Sequence, residues 1–210
     1  MKSKRDIKIS QRAAKIMAVC FLMTGWLLML AACGAGKEQT GAQVRISKEG
    51  TVSTHIVENF DKVYYDVEEL TQMILSEAAS YNRQNGSGRI TVKRVEAENG
   101  IATVDMIYEN PADYAAFNEE IFFIGTVQAA KEAGYDLNTV LASVKDPLDT
   151  VGMSDMLAME GVRILITDMK DPVTLNGKAL FVSENVSVDK KFKTVSFDKE
   201  SQELAYIIYK

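Results

Sequence analysis

The sequence predicts an α+β fold: a largely antiparallel sheet built from hairpins, with two to three helices packed on it, in a single domain. Three observations predict this. Glu49-Gly50 and Asn99-Gly100 each sit between two β-branched runs, which is the signature of a hairpin. Capped helical stretches open at Asp66, Asn110 and Thr126. From residue 162 onward the chain is strand-rich with no further helical period. Hairpins join antiparallel neighbours, whereas a doubly wound α/β fold needs regular strand-helix-strand crossovers.

Taken in order, 44–48 and 51–58 read as the first hairpin. Asp66-Val67-Glu68-Glu69 has capping-box spacing, and Val67, Leu70, Ile74, Ala78 and Tyr81 then fall on one helical stripe. Asn85-Gly86-Ser87-Gly88 stops that helix. Residues 89–96 and 101–108 form a second hairpin, since Asn-Gly suits a type I′ turn. Asn110 caps a short helix to Asn118, with Pro111 at its first position. A strand follows at 120–124, then a small Ala-rich helix capped by Thr126 and ended by Gly134. Residues 138–160 give weak helical hints only. Residues 162–167 are a β-branched strand, Asn176-Gly177 reads as another hairpin turn before 179–182, and 186–188, 194–197 and 204–209 complete the strands.

The first 32 residues differ in kind from the rest. Residues 1–16 carry six basic side chains and one acidic. Met17 to Ala32 is a 16-residue apolar run, too short for the roughly 20 residues of a transmembrane helix and close to the roughly 7–15 of a signal-peptide core. Taking six basic and one acidic side chain from the chain's 24 and 29 leaves 18 and 28, a net of −10 for residues 33–210. So acidic a domain repels nucleic acid and anionic lipid headgroups.

Leu30-Ala31-Ala32-Cys33-Gly34 closely resembles the lipobox of bacterial lipoproteins. The resemblance implies a type II signal peptide over 1–32, cleavage between Ala32 and Cys33, and diacylglyceryl transfer to the Cys33 thiol, with palmitate-like chains holding the protein at the cell membrane on its extracytoplasmic face. Residues 33–42 then form the lipidated cysteine and a flexible Gly-rich tether, and 43–210 the extracytoplasmic domain. Gly34 is not the Asp expected of inner-membrane retention in a Gram-negative cell.

Cysteine and histidine usage excludes several chemistries. Cys20 falls in the segment expected to be removed and Cys33 is the expected acylation site, so the mature domain keeps no free thiol and no disulfide. His55 is the single histidine, so no multi-histidine metal centre can form within one chain. Strand alternation sets His55 out of phase with Val52, Thr54 and Ile56 and turns it to solvent. No Gly-x-Ser-x-Gly elbow is present. We expect no cofactor and no metal.

The candidate ligand-binding stretch runs from Tyr108 to Glu120, where Tyr108, Asp113, Tyr114, Asn118 and Glu119 combine aromatic, amide and carboxylate groups. Such a set grips a sugar or hosts the acid/base pair of glycan cleavage; acids at a helix start also serve the helix dipole, and Tyr114 and Phe117 suit a core. Asp168, Asp171, Asp198, Glu200 and Glu203 offer oxygen ligands without EF-hand spacing.

The domain itself is similar to lipoproteins of Gram-positive Clostridia that have no assigned activity. The resembling pieces are 60–65 (Phe60-Asp61-Lys62 to Tyr65), 114–118 followed by Gly125-Thr126-Val127, and 176–183. The expected function is a non-enzymatic binding or assembly module of the cell envelope, held by membrane lipid through acylated Cys33 and meeting an envelope protein or glycan, but no nucleic acid. The alternatives are a hydrolase using carboxylates such as Asp113 or Glu119, and a small-ligand sensor or transport accessory.

Overall fold

The computed structural model describes residues 40–210. The signal peptide over 1–32, the cleavage site at Ala32 and Cys33, and most of the tether lie outside the described residues.

Strands β1 (Gly41–Ile46) and β2 (Val52–Asn59) pair antiparallel with Ile46 opposite Val52, as the first hairpin requires. β1 takes in Gly41 and Ala42, which the sequence assigns to the tether. Helix α1 (Val67–Asn85) starts where Asp66 accepts hydrogen bonds from the Glu68 and Glu69 amides and ends at Gly86. Strands β3 (Ile90–Glu98) and β4 (Ile101–Tyr108) are joined by Asn99 and Gly100, both at positive φ, the demand that makes Asn-Gly the favoured pair. Helix α2 (Pro111–Asn118) begins with the Asn110 side chain on the Asp113 amide and ends at Glu119, in left-handed conformation. β5 (Phe122–Gly125) leads to α3 (Val127–Glu132), whose cap Thr126 accepts from the Ala129 amide.

The unreadable stretch resolves into β6 (Leu141–Ser143), β7 (Thr150–Val151) and α4 (Met153–Ala158). Strands of two or three residues are too short for alternation to show. Then come β8 (Arg163–Thr167), β9 (Val173–Thr174), β10 (Ala179–Val182), β11 (Val186–Val188), β12 (Thr194–Phe197) and β13 (Ala205–Tyr209).

The fold is α+β and its pairing is mostly antiparallel, but the strands make two sheets where one was expected, and the described residues hold four helices where two to three were expected. One sheet has seven strands in the order β11-β12-β9-β1-β2-β4-β3; the other has six in the order β5-β8-β13-β10-β6-β7. The β1–β9 pair is parallel. Asn176-Gly177 is the point of departure. It does not close a hairpin: β9 lies in the seven-stranded sheet and β10 in the six-stranded one. Gly177 is needed there for room, because a Cβ would sit 2.5 Å from the Lys210 carbonyl oxygen.

The main core lies between the sheets. Val44, Val52, Met106 and Val173 of the larger sheet meet Leu165, Ile207 and Tyr209 of the smaller, with Ile74 and Ala78 of α1 and Tyr114 of α2 closing it. The alternate residues Ile164, Ile166, Tyr206 and Ile208 face a second core with Val127, Ala130, Leu141 and Met156, beneath α3 and α4. The six-stranded sheet is therefore covered on both faces, which is why Ala205–Tyr209 is buried throughout. This core covers one face of the seven-stranded sheet; the other face carries Gln43, Arg45, Ser53, His55, Arg94 and Asp105, with Val57 and Thr103 buried toward the Gly41 end.

Candidate functional site

That open face is built by alternation. In β2, Val52 and Thr54 point into the core, so Ser53 and His55 point out. In register with His55 stand Gln43 on β1 and Asp105 on β4, and Asp105 is opposite Arg94 on β3. One row across four strands thus reads Gln43, His55, Asp105, Arg94. A bulge between Val92 and Arg94 inserts Lys93, which is exposed. The next row holds Thr174, Arg45, Ser53 and Ile107.

Asp105 is gripped from both sides. Its Oδ1 lies 2.6 Å from His55 Nδ1, and its Oδ2 accepts from Arg94 Nε at 2.6 Å. Arg94 also donates to Glu96 at 2.9 Å. Burial works against the charged form of Asp105, but the bonds from His55 and Arg94 outweigh it and hold the carboxyl below its ordinary range. His55 has 42% of its side chain exposed, as the alternation of β2 predicts. Beside this row a groove of about 410 Å³ is lined by Gln43, Arg45, Ser53, His55, Lys93, Ile107 and Thr174 among others. Arg45 and Lys93 have no ion-pair partner among the described residues. The groove therefore presents two cations without an ion-pair partner among the described residues, an imidazole edge, the hydroxyls of Ser53 and Thr174, and the Asp105 carboxylate already held by His55 and Arg94. Chemically this set can bind an anion; a nucleophile-base pair is not assembled in it.

The residues of the 108–120 stretch are placed differently. Tyr108 is buried, its ring edge-on to Tyr114 at 5.0 Å and tilted on Phe117 at 5.9 Å. Asp113 is buried and turned toward α1 and β3: Tyr81 Oη donates to it at 3.0 Å, and Arg89 Nη1 lies 3.5 Å away. Burial, then the Asp113 bond, pushes the Tyr81 hydroxyl up to about 12. Asn118 donates to the Tyr114 carbonyl oxygen at 2.9 Å, and Glu119 is exposed at the helix end. The structure thus brings Tyr108 and Tyr114 together in the core and separates Asp113 from Glu119, one inward and one outward.

The neighbouring carboxylate that sequence reading passed over is Glu120. Its Oε2 accepts from Tyr114 Oη at 2.9 Å. Burial raises its carboxyl to about 7; the Tyr114 bond opposes this, while Asp171 and Asp168 add to it. Asp171 is exposed at its edge, yet the protein packed around it raises its carboxyl too, against the pull of Lys199. Glu58 at the end of β2 is raised by burial and by Asp171. Asp168 accepts from the Ile121 amide at 2.8 Å, and Lys170 donates to the carbonyl oxygens of Asp198 and Ser201. The acids suggested as oxygen ligands therefore gather at one end of the two sheets. No group of three or more His, Cys, Asp or Glu among the described residues is placed to hold a metal ion. The signal that could have found Glu120 is its position two residues after a helix end and two before a strand, where the chain turns back under the core. Comparison with known proteins found no matching family model, no matching curated protein and no matching solved structure.

Proposed function

We propose that the chain is a membrane-anchored extracytoplasmic lipoprotein whose domain binds an anionic envelope component, protein or glycan, through the open face of the seven-stranded sheet. The observation that carries the binding reading is the groove beside His55, where Arg45 and Lys93 stand without an ion-pair partner among the described residues, on a domain of net negative charge. Tethering is supported by Leu30-Ala31-Ala32-Cys33 after a basic start and an apolar run. Placement at the cell membrane, the lipid chains on Cys33 and the clostridial resemblance all belong to this same reading.

A photoreactive group at Ser53 in the native, tethered protein tests it. We expect a reproducible crosslinked protein or glycan, lost in the Arg45→Glu/Lys93→Glu variant. Equal labelling with and without those cations overturns the groove as the binding surface. Mass spectrometry of the mature amino terminus tests the anchor: a start at an acylated Cys33 is expected, and an unmodified start upstream of residue 33 overturns it.

A second reading, a carboxylate hydrolase, is favoured by the burial of Glu120 near Asp171, which raises its carboxyl to about 7. It moves the acid/base pair from Asp113 and Glu119 to Glu120 and Asp171. Glycan turnover by the wild type that is lost in Glu120→Gln supports it, and unchanged turnover removes it.

A further inference from the structure

The loop between β2 and α1 sets two adjacent apolar side chains side by side in solvent. Val63 has a relative exposure of 105% and Tyr64 of 78%. They stand on a firm base. The Phe60 amide donates to the Gly100 carbonyl oxygen at 2.6 Å, Phe60 stacks on Tyr65 with ring centroids 4.8 Å apart, and Tyr64 meets Tyr65 edge-on at 5.0 Å. The loop is tied down at Phe60 and Tyr65 and presents one aliphatic and one aromatic tip, with Lys62 beside them.

Its position is decisive. β1 begins at Gly41, and Gly41 pairs with Val57 near the end of β2. The chain therefore joins the domain at the same end as the Phe60–Tyr65 loop. Seven residues, 34–40, separate Cys33 from Gly41. A chain of that length reaches at most about 27 Å when fully extended. Resting on the lipoprotein reading above, we propose that Val63 and Tyr64 sit in the lipid interface beside the anchor and orient the domain on the membrane. Tyrosine suits that layer because its ring is apolar and its hydroxyl stays wet. Two side chains bind lipid weakly from free solution, but the tether holds them at an effective concentration on the order of millimolar, so a weak preference suffices.

The same end carries Glu58, Asp61, Asp168 and Asp171, so anionic headgroups oppose the contact and zwitterionic lipid favours it. The groove at Arg45 lies up the face of the sheet from this end and stays open when the tip is seated.

The single tryptophan, Trp26, lies in the segment expected to be removed, so Tyr64→Trp gives the mature protein one reporter. Leu148→Trp is the control: Leu148 is 91% exposed, on the β6–β7 connection at the end of the six-stranded sheet away from Thr167 and Ala205. The lipidated protein is reconstituted in phosphatidylcholine vesicles carrying brominated acyl chains. The Tyr64→Trp emission is expected to shift to shorter wavelength and lose most of its intensity, and the Leu148→Trp emission to keep both. Adding phosphatidylserine is expected to weaken the quenching. Hydrogen exchange on the unsubstituted protein reads the same contact, as slower exchange over 61–65 on vesicles than in detergent. Flotation separates the two readings. Protein that floats with equal emission from both reporters and unchanged exchange overturns the lipid-facing tip and leaves the anchor standing. Protein that does not float overturns both.

Discussion

Asp105 on the open sheet face and Glu120 at the end between the sheets are carboxylates of similar surroundings by count: each is partly buried and each accepts a short hydrogen bond from a ring-bearing side chain. Their proton affinities move in opposite directions, Asp105 down and Glu120 up to about 7. The difference lies in the weight of burial, which is heavier at Glu120, and in the charge of the partners. Asp105 meets a guanidinium and an imidazole, which favour its charged form. Glu120 meets a neutral phenol, with Asp171 and Asp168 nearby, and among the described residues no cation offsets its burial. The open face is thus stabilised by ionisation and the end between the sheets is stressed by it.

The largest expected effect tests the stressed end. Because burial raises the Glu120 carboxyl from its ordinary carboxylate range to about 7, the folded protein binds this proton more tightly than the unfolded chain. Stability linked to Glu120 is fully present below about pH 4.5 and is lost as pH rises through 7. Glu120→Gln removes the charge and keeps an acceptor for Tyr114. It is expected to stabilise the protein by up to about 3 kcal/mol at pH 8 and by almost nothing at pH 4, read by urea denaturation at both pH values. Equal stabilisation at the two pH values would mean that the charge of Glu120 is not the source of the strain.

Tyr114→Phe sharpens the same point with a smaller effect. The Tyr114 hydroxyl is the donor that the ionised Glu120 carboxylate has, so its removal leaves a partly buried acceptor unmet, at a cost of about 1–2 kcal/mol. The loss is expected to be larger at pH 8 than at pH 5, since the bond favours the ionised form. In the Glu120→Gln background the pH dependence should vanish, although a constant loss remains. A pH-independent loss in the wild-type background would show that Tyr114 acts by packing against Tyr108 and Phe122 alone.

The two regions also differ in how far the sequence disclosed them. Of the open face the sequence disclosed only that His55 turns to solvent, through period-two alternation in β2, and that an Asn99-Gly100 hairpin joins β3 to β4; Arg45, Lys93, Arg94 and Asp105 were not singled out, although that turn's register sets Arg94 opposite Asp105. Local rules decide both. The caps at Asp66, Asn110 and Thr126 were readable for the same reason. The end between the sheets was not, because nothing local brings Glu58, Glu120 and Asp171 near one another; that follows from the chain leaving one sheet for the other after β8. Asn176-Gly177 misled because an Asn-Gly pair marks a hairpin only when its flanking strands stay in one sheet. Here the glycine answers a close approach by Lys210, at the far end of the chain. Asp113 and Tyr114 looked like ligand groups because composition cannot separate a carboxylate aimed at a ligand from one aimed at Tyr81 and Arg89.

The smallest expected effect belongs to the open face and has the opposite sign with pH. Asp105 holds its charge more firmly when folded than when unfolded, so its contribution is present above about pH 4 and is lost as pH falls through its lowered native value. Asp105→Asn is therefore expected to cost stability at pH 7 and nothing near pH 2. The cost at pH 7 stays below about 1 kcal/mol, because His55 and Arg94 keep 42% of their side chains exposed and water screens the pair. High salt should shrink it further, whereas the Glu120→Gln gain, set by burial, should survive in 1 M salt. If salt diminishes both effects alike, the two carboxylates share one solvent-screened environment, and the distinction between an ionisation-stabilised face and an ionisation-stressed end is lost.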